Sequence, residues 1–132
     1  MWFNYRLAMR LLIAAFYMGA GILHLTSPQG FILIVPNFVP WPAQVVYLTG
    51  IAEIAGAIGL MVPRLQMPAG IGLALYAICV FPANINHAIN HIDVGGLPNS
   101  WWYHGPRFFL QPVLIWWALF CSRVIDWPLA RK

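Results

Sequence analysis

An integral membrane protein built of α-helices is the fold class that this sequence predicts, and three observations lead to it. The 132 residues are 61% hydrophobic and only 8% charged, whereas roughly a quarter of the residues in a soluble domain are charged. The mean hydropathy is +0.74. Four apolar segments have close to the roughly 20 residues that cross a bilayer. We therefore expect one transmembrane domain, residues 1–132, folded as a four-helix bundle.

The first apolar segment, at about residues 7–25, has Arg6 just before it and Arg10 near its start. A basic start and an apolar run also occur in signal peptides. Here no small-residue cleavage site is followed by a soluble domain, so we predict an uncleaved span. The next apolar run, Phe31 to Val35, is too short to cross a membrane and is enclosed by prolines. This pattern favours a short interfacial or re-entrant segment after the first span.

The remaining spans are predicted at about residues 43–62, 67–90 and 106–122. The second span is rich in Gly and Ala, which allow helices to approach closely in a membrane, and therefore belongs at the centre of the bundle. The third span contains Pro82, which is expected to kink it. A polar connector with a Trp-Trp-Tyr group precedes the fourth span, and such aromatic groups often mark the boundary between membrane and water.

Basic residues flank the spans rather than forming a patch, so the sequence offers no surface for nucleic acid. With four spans, the N-terminus, the turn between the second and third spans and the C-terminus share one side. Together these regions contain most of the basic residues, namely Arg6, Arg10, Arg64, Arg123, Arg131 and Lys132. The positive-inside rule then predicts a multi-pass protein of a bacterial-type inner membrane, surrounded by lipid, with both termini in the cytoplasm.

A run of amides and imidazoles, FPANINHAINHID, ends the third span. Read as a helix, it places Asn84, His87 and His91 on one face, at positions i, i+3 and i+7. Tyr76 continues this face towards the other end of the span. Polar groups are costly in lipid, so we expect this face to line the protein interior or a water-filled cavity.

Polar residues of all four spans converge in the outer half of the predicted bundle. Glu53 lies near the middle of its span, where an ionisable group is a functional-site candidate, with a structural ion pair as the alternative. Arg107 either extends to the outer interface or reaches inward to pair with Glu53 or an anionic ligand. Gln111 follows one turn later, and His24 lies in the last turn of the first span. His104 is expected in water at the membrane boundary.

Two further interpretations of these polar residues stay open. His87 and His91, at i and i+4, can present two imidazoles to one metal ion, with His24 and Glu53 completing the ligand set. Paired histidines beside a polar loop are also common without a metal. Asn84 and Gln111 can orient a carbonyl group of a ligand, or they can simply connect helices by hydrogen bonds.

Several segments, in this order, resemble the DoxX-like family: AGILHL, IVPNFVPWP, YLTGIAEIAGAIGLMVPR, FPANINHA, and a last span with Arg107, Gln111 and IWW. The resemblance implies a small four-helix membrane protein. Some members of that family are small subunits of a membrane-bound oxidoreductase that links sulfur compounds to quinone. Others are associated with thiol stress, quinone handling or metal-related operons. The positions that match the family pattern are His24, Glu53, Asn84, Arg107 and Gln111, whereas His87 and His91 are additions of this chain.

The leading functional hypothesis is a quinone-linked redox protein, or the quinone-binding membrane subunit of an oxidoreductase. A quinone or small apolar ligand would use donors from Asn84, Arg107, Gln111 and Tyr76, and Glu53 with His24 would exchange protons as the catalytic pair. The sequence has no flavin or dinucleotide-binding loop, so electrons are expected from a soluble redox partner or from the substrate. The alternatives are a metal- or haem-binding membrane protein and a membrane scaffold without chemistry of its own. A homo-oligomer is compatible with each.

Overall fold

Five α-helices form the regular secondary structure of the part of the chain that the computed structural model describes, residues 4–95, 98 and 100–129. In chain order they are α1 (Tyr5–Thr26), α2 (Gln29–Ile34), α3 (Pro42–Met61), α4 (Gln66–Ile89) and α5 (Trp101–Cys121). No strand occurs within these residues, so the prediction of an all-α fold is confirmed. Arg131 and Lys132, which contributed to the predicted orientation, lie outside the described residues.

Three of these helices, α1, α3 and α4, are long and apolar enough to cross a membrane. They coincide closely with the first three predicted spans. α5 has 21 residues, but its mean hydropathy is lower because His104, Arg107 and Gln111 all lie in its first half. Its polar residues therefore need partners inside the protein if α5 also lies in lipid.

α5 begins at Trp101, five residues before the predicted start of the fourth span. The Ser100 carbonyl accepts hydrogen bonds from the backbone N–H groups of Tyr103 and His104, so the aromatic group belongs to the first helical turn. Pro106 was expected to begin this helix. It lies inside the helix instead, where it removes only the hydrogen bond to the carbonyl of Trp102, a residue that is 91% exposed.

The four long helices form a closed ring of neighbours: α1 contacts α3, α3 contacts α4, α4 contacts α5, and α5 contacts α1. Contacts join the end of one helix to the beginning of the next, as between Gly21 and Gly50 or between Met9 and Trp117. Neighbouring helices are therefore antiparallel. The short helix α2 contacts α3 and α4 beside one end of this ring.

One half of the ring is closely packed with apolar side chains. Its core includes Ile13 and Tyr17 of α1, Leu60 of α3, Leu73 of α4 and Cys121 of α5. This half is the one that faces Arg6 in α1, Arg64 in the turn between α3 and α4, and Arg123 just after α5. The opposite half contains a cavity and most of the buried polar residues. Arg10 is the exception: it is buried in the packed half and donates a hydrogen bond to the Gln66 side chain.

Glycines allow α1 and α3 to approach each other closely. A Cβ atom added to Gly21 would lie 2.7 Å from the Gly50 carbonyl oxygen and 2.7 Å from Cγ1 of Ile54. One added to Gly50 would lie 2.7 Å from Cβ of His24. Real Cβ atoms do not make such contacts, so a larger residue at either position would push the helices apart. The close contact therefore determines how far His24 lies from α3.

We predict that Gly21→Ala lowers stability by about 1–3 kcal/mol through overpacking against α3. Gly19→Ala is the matched control, because no atom lies within 4 Å of its added Cβ and Ala is the better helix former. Thermal unfolding in detergent measures both variants. Equal melting temperatures for Gly21→Ala and Gly19→Ala would contradict the close contact.

Candidate functional site

A cavity of about 590 Å³ lies between the four long helices in the half that is not filled by the apolar core. Its walls are mostly apolar, and α2 with the proline-rich segment after it covers one side. A volume of this size is typical of sites for small organic ligands. Six residues that the sequence predicts as catalytic or ligand-binding line it, namely His24, Glu53, Tyr76, Asn84, Arg107 and Gln111.

The side chains of His24 and Glu53 form a close pair at one end of the cavity. Nδ1 of His24 lies 3.0 Å from Oε2 of Glu53 and 2.7 Å from the carbonyl oxygen of Ala20, one helical turn earlier. Both neighbours are acceptors, so Nδ1 carries a proton. The contact with Ala20 has hydrogen-bond geometry, whereas Oε2 of Glu53 has a close neighbour but no well-aligned hydrogen bond. The pair is therefore able to hold or release a proton in the cavity.

Glu53 is only 3% exposed, and tyrosines from two other helices face it. The Tyr76 side chain interacts with the Glu53 carboxylate and with the Thr49 side chain. Tyr17 packs edge-to-face on Tyr76, with ring centroids 6.1 Å apart. The Glu53 side chain faces the protein interior beside His24, as the cost of a lipid-facing carboxylate predicts.

α2 covers the same end of the cavity. Phe31 stacks on the His24 imidazole, with ring centroids 3.8 Å apart and an angle of 19° between the rings. Asn86 of α4 donates a hydrogen bond of 2.9 Å from its side-chain nitrogen to the carbonyl oxygen of Ile34, the last residue of α2. The short helix is thus attached to α1 through a ring contact and to α4 through a hydrogen bond.

Arg107 is the centre of a second polar group in the cavity wall. It donates one hydrogen bond to Oδ1 of Asn84 and another, of 2.9 Å, to Nδ1 of His87. Gln111 accepts a hydrogen bond of 3.2 Å from Nδ2 of Asn84 and donates one of 2.5 Å to the Ala77 carbonyl oxygen. The Arg107 guanidinium also lies over the Tyr103 ring. Arg107 is therefore held against α4 inside the protein.

The two polar groups occupy different levels of the cavity. Tyr76, which faces Glu53, and Asn84, which binds Arg107, are eight residues apart on α4, or about 12 Å at 1.5 Å per residue. Within the described residues no carboxylate lies within 4.0 Å of the Arg107 guanidinium. Of the two inward partners predicted for Arg107, Glu53 and an anionic ligand, Glu53 is therefore wrong. An apolar ligand between these levels would meet a proton-exchanging pair at one end and a cation at the other.

The surroundings of His87 differ from those expected for a metal ligand. It is 2% exposed, and its Nδ1 atom faces Arg107. A guanidinium can only donate, so Nδ1 accepts and His87 is neutral. Its ring also packs edge-to-face on His104, with centroids 4.8 Å apart. His87 therefore orients Arg107 from outside the cavity, a role that no sequence pattern indicates.

The shared helical face predicted for His87 and His91 is wrong, because α4 ends at Ile89. Asn90 caps the helix, and His91 follows with a left-handed φ of 49° and an exposed side chain. The two imidazoles do not project from successive turns of one helix. Among the described residues no three His, Cys, Asp or Glu side chains are grouped closely enough to hold a metal ion.

His104 was expected in water but is 1% exposed. Because α5 begins at Trp101, His104 lies in the first helical turn and packs against the rings of Trp101, Tyr103 and His87. Other cavity residues that the sequence did not mark are Tyr17, Phe31, Thr49 and Tyr103. Tyr103 was noted only as part of the aromatic group that marks the membrane boundary. No motif or spacing in the sequence distinguishes the other three from ordinary packing residues.

One comparison with known proteins assigns this chain to a family. No curated protein and no solved structure shows significant similarity to it. The family model that matches covers residues 13–122, which include all five residues of the predicted DoxX-like pattern. The chain therefore belongs to the family described as a domain of unknown function, DUF8561.

Proposed function

We propose that the protein is an integral membrane four-helix bundle in which α1, α3, α4 and α5 cross the membrane and α2 is an interfacial or re-entrant helix. The closed ring of antiparallel helices and the inward-facing polar residues of α5 support this arrangement. The basic residues at the packed end favour a cytoplasmic location for that end and for both termini, in a bacterial-type inner membrane. The cavity then lies in the outer half of the membrane.

Single cysteines in a variant without Cys79 and Cys121 test this orientation. We expect Cys at position 4 or 65 to react with a membrane-impermeant maleimide only after the cytoplasmic side is opened, and Cys at position 100 to react from outside. All three positions are exposed. Labelling of position 100 from the cytoplasm would contradict the proposed topology.

We propose that the cavity binds a quinone and that the protein acts as a quinone-linked redox protein or as the quinone-binding subunit of an oxidoreductase. The observation that carries this proposal is one apolar cavity with a His–Glu pair at one level and Arg, Asn and Gln donors at another. A quinone has a flat apolar ring with carbonyl oxygens at opposite ends, which matches apolar walls between two polar groups. The likeness to the DoxX-like family supports the same function.

The proposed chemistry divides between this chain and a redox partner. Reduction of a quinone to a quinol takes two electrons and two protons. The electrons come from a soluble partner protein or from the reduced substrate. The His24–Glu53 pair delivers one proton to the nearer quinone oxygen, and donors near Arg107 stabilise the negative charge that develops on the other oxygen. That second oxygen takes its proton from water, which completes the quinol.

Extraction of the purified protein with organic solvent, followed by chromatography, tests the binding step. We expect bound quinone at near-stoichiometric amounts. Stoichiometric metal or haem without quinone would replace this proposal with the metal alternative. A protein that carries neither and does not bind added quinone would favour the scaffold alternative.

We predict that Glu53→Gln binds menadione almost as well as the parent protein but slows its electrochemical reduction by about 100-fold or more. Gln preserves size and hydrogen bonding but does not supply a proton, and a positioned proton donor is typically worth about 10²–10⁴-fold. Asp126→Asn is the matched control, because it makes the same exchange at a carboxylate paired with Arg6 outside the cavity. Voltammetry on a bilayer-coated electrode measures the rate. Reduction of Glu53→Gln at the parental rate would show that Glu53 takes no part in proton delivery.

We also predict that His87→Ala weakens quinone binding about tenfold, whereas His91→Ala leaves it unchanged. His87 accepts a hydrogen bond from the charged Arg107, and such a bond is typically worth about 1.5–3 kcal/mol. His91 is exposed and does not line the cavity. His87→Asn should restore part of the affinity, because its side-chain oxygen can replace Nδ1 as acceptor. Equal effects of the two Ala variants in calorimetric titrations would contradict this positioning role.

A further inference from the structure

The few acidic residues of the chain all have partners other than Arg107. The sequence contains three Asp and Glu residues in total. Glu53 pairs with His24, and Asp126 pairs with Arg6 at 2.7 Å. Asp93 accepts a hydrogen bond from the backbone N–H of Gly95, outside the apolar helices. The Arg107 guanidinium therefore has no carboxylate to neutralise it within the described residues.

The side chains that bind Arg107 are neutral. Asn84 offers an amide oxygen, and His87 offers the unprotonated nitrogen of a neutral imidazole. A guanidinium has five N–H donors, so three remain beyond these two bonds. The Tyr103 ring covers part of one face of the cation, but a ring does not neutralise a full charge.

An uncompensated cation is costly in a membrane interior, and it persists where it faces a cavity or a functional partner. Arg107 is partly buried, and its bonds to Asn84 and His87 hold it against α4. It lines the cavity, and no other Lys or Arg does so among the described residues. The missing negative charge is therefore best supplied by the occupant of the cavity.

We infer that the cavity takes an apolar ring ligand with one ionised oxygen, and that this oxygen binds Arg107. This inference rests on the proposed quinone-binding function, and it narrows the ligand to a quinone with an ionised ring hydroxyl in preference to a neutral quinone. The orientation follows from charge. The anionic oxygen lies at the Arg107 level, away from the Glu53 carboxylate, and a neutral carbonyl lies towards His24.

Two naphthoquinones that differ in one substituent provide the test. Lawsone has a ring hydroxyl that is ionised at neutral pH, and menadione has a methyl group on the same ring. We expect lawsone to bind the parent protein at least about tenfold more tightly, since a hydrogen bond to a charged group is typically worth about 1.5–3 kcal/mol and 1.4 kcal/mol is tenfold. Calorimetric titration in detergent gives both affinities.

Arg107→Gln should abolish the preference for lawsone, whereas Arg64→Gln should retain it. Arg64 is the matched control because it is exposed in the turn between α3 and α4 and does not line the cavity. The ratio of the two affinities is compared between variants, so that partitioning of the ligands into detergent cancels. If Arg107→Gln does not fold, the affinity of the parent protein for lawsone is compared instead with its affinity for the methyl ether of lawsone, which cannot ionise. Equal affinities for these two ligands would overturn the inference.

The outcomes separate this inference from the proposed function. Equal binding of lawsone and menadione, or a preference that persists in Arg107→Gln, would overturn the inference and leave quinone binding intact. Naphthoate, a ring carboxylate that is not a quinone, is the third probe. If naphthoate binds as tightly as lawsone with the same dependence on Arg107, the anion site is supported and the restriction to quinones is wrong. If none of the three probes binds, both proposals fail.

Discussion

The close approach of α1 and α3 at Gly21 and Gly50 is the constraint on which the site depends. Because neither residue has a side chain, the backbones meet directly and Cβ of His24 lies against Gly50. Glu53 follows Gly50 by about one turn, so the same contact brings its carboxylate to the imidazole. The His24–Glu53 pair is thus a consequence of helix packing, and its geometry depends on that packing.

Much of the site could be predicted from sequence because the cost of polar groups in an apolar chain limits where they can point. His24, Glu53, Tyr76, Asn84 and Gln111 come from four segments, and the helical period with the need for partners was enough to bring them to one cavity. For Arg107 the sequence did not decide between two orientations of the side chain, since a long side chain can reach either the membrane interface or the protein interior. Only its contacts with Asn84 and His87 decide between them.

The errors arose at helix ends, where sequence signals are weakest. The run from Asn84 to His91 keeps a helical pattern beyond the last helical residue, and no Gly or Pro marks the stop. The aromatic group before Pro106 suggested a boundary, yet the helix had already begun. Phe31 could not have been identified either. Nothing in the sequence distinguishes it from other apolar residues. Its ring stacks on His24 only because α2 packs back against the end of α1.

The division of the molecule into a packed half and an open half has a consequence for the direction of proton movement. In the proposed orientation, tightly packed side chains such as Ile13, Leu60 and Cys121 separate the cavity from the cytoplasm. Arg10 and Gln66 form a hydrogen bond in this half, but the closely packed apolar side chains between them and the cavity offer protons no polar partners. Protons used at Glu53 would therefore be exchanged with the outer side of the membrane. The packed half would thus separate proton exchange at this site from the cytoplasm.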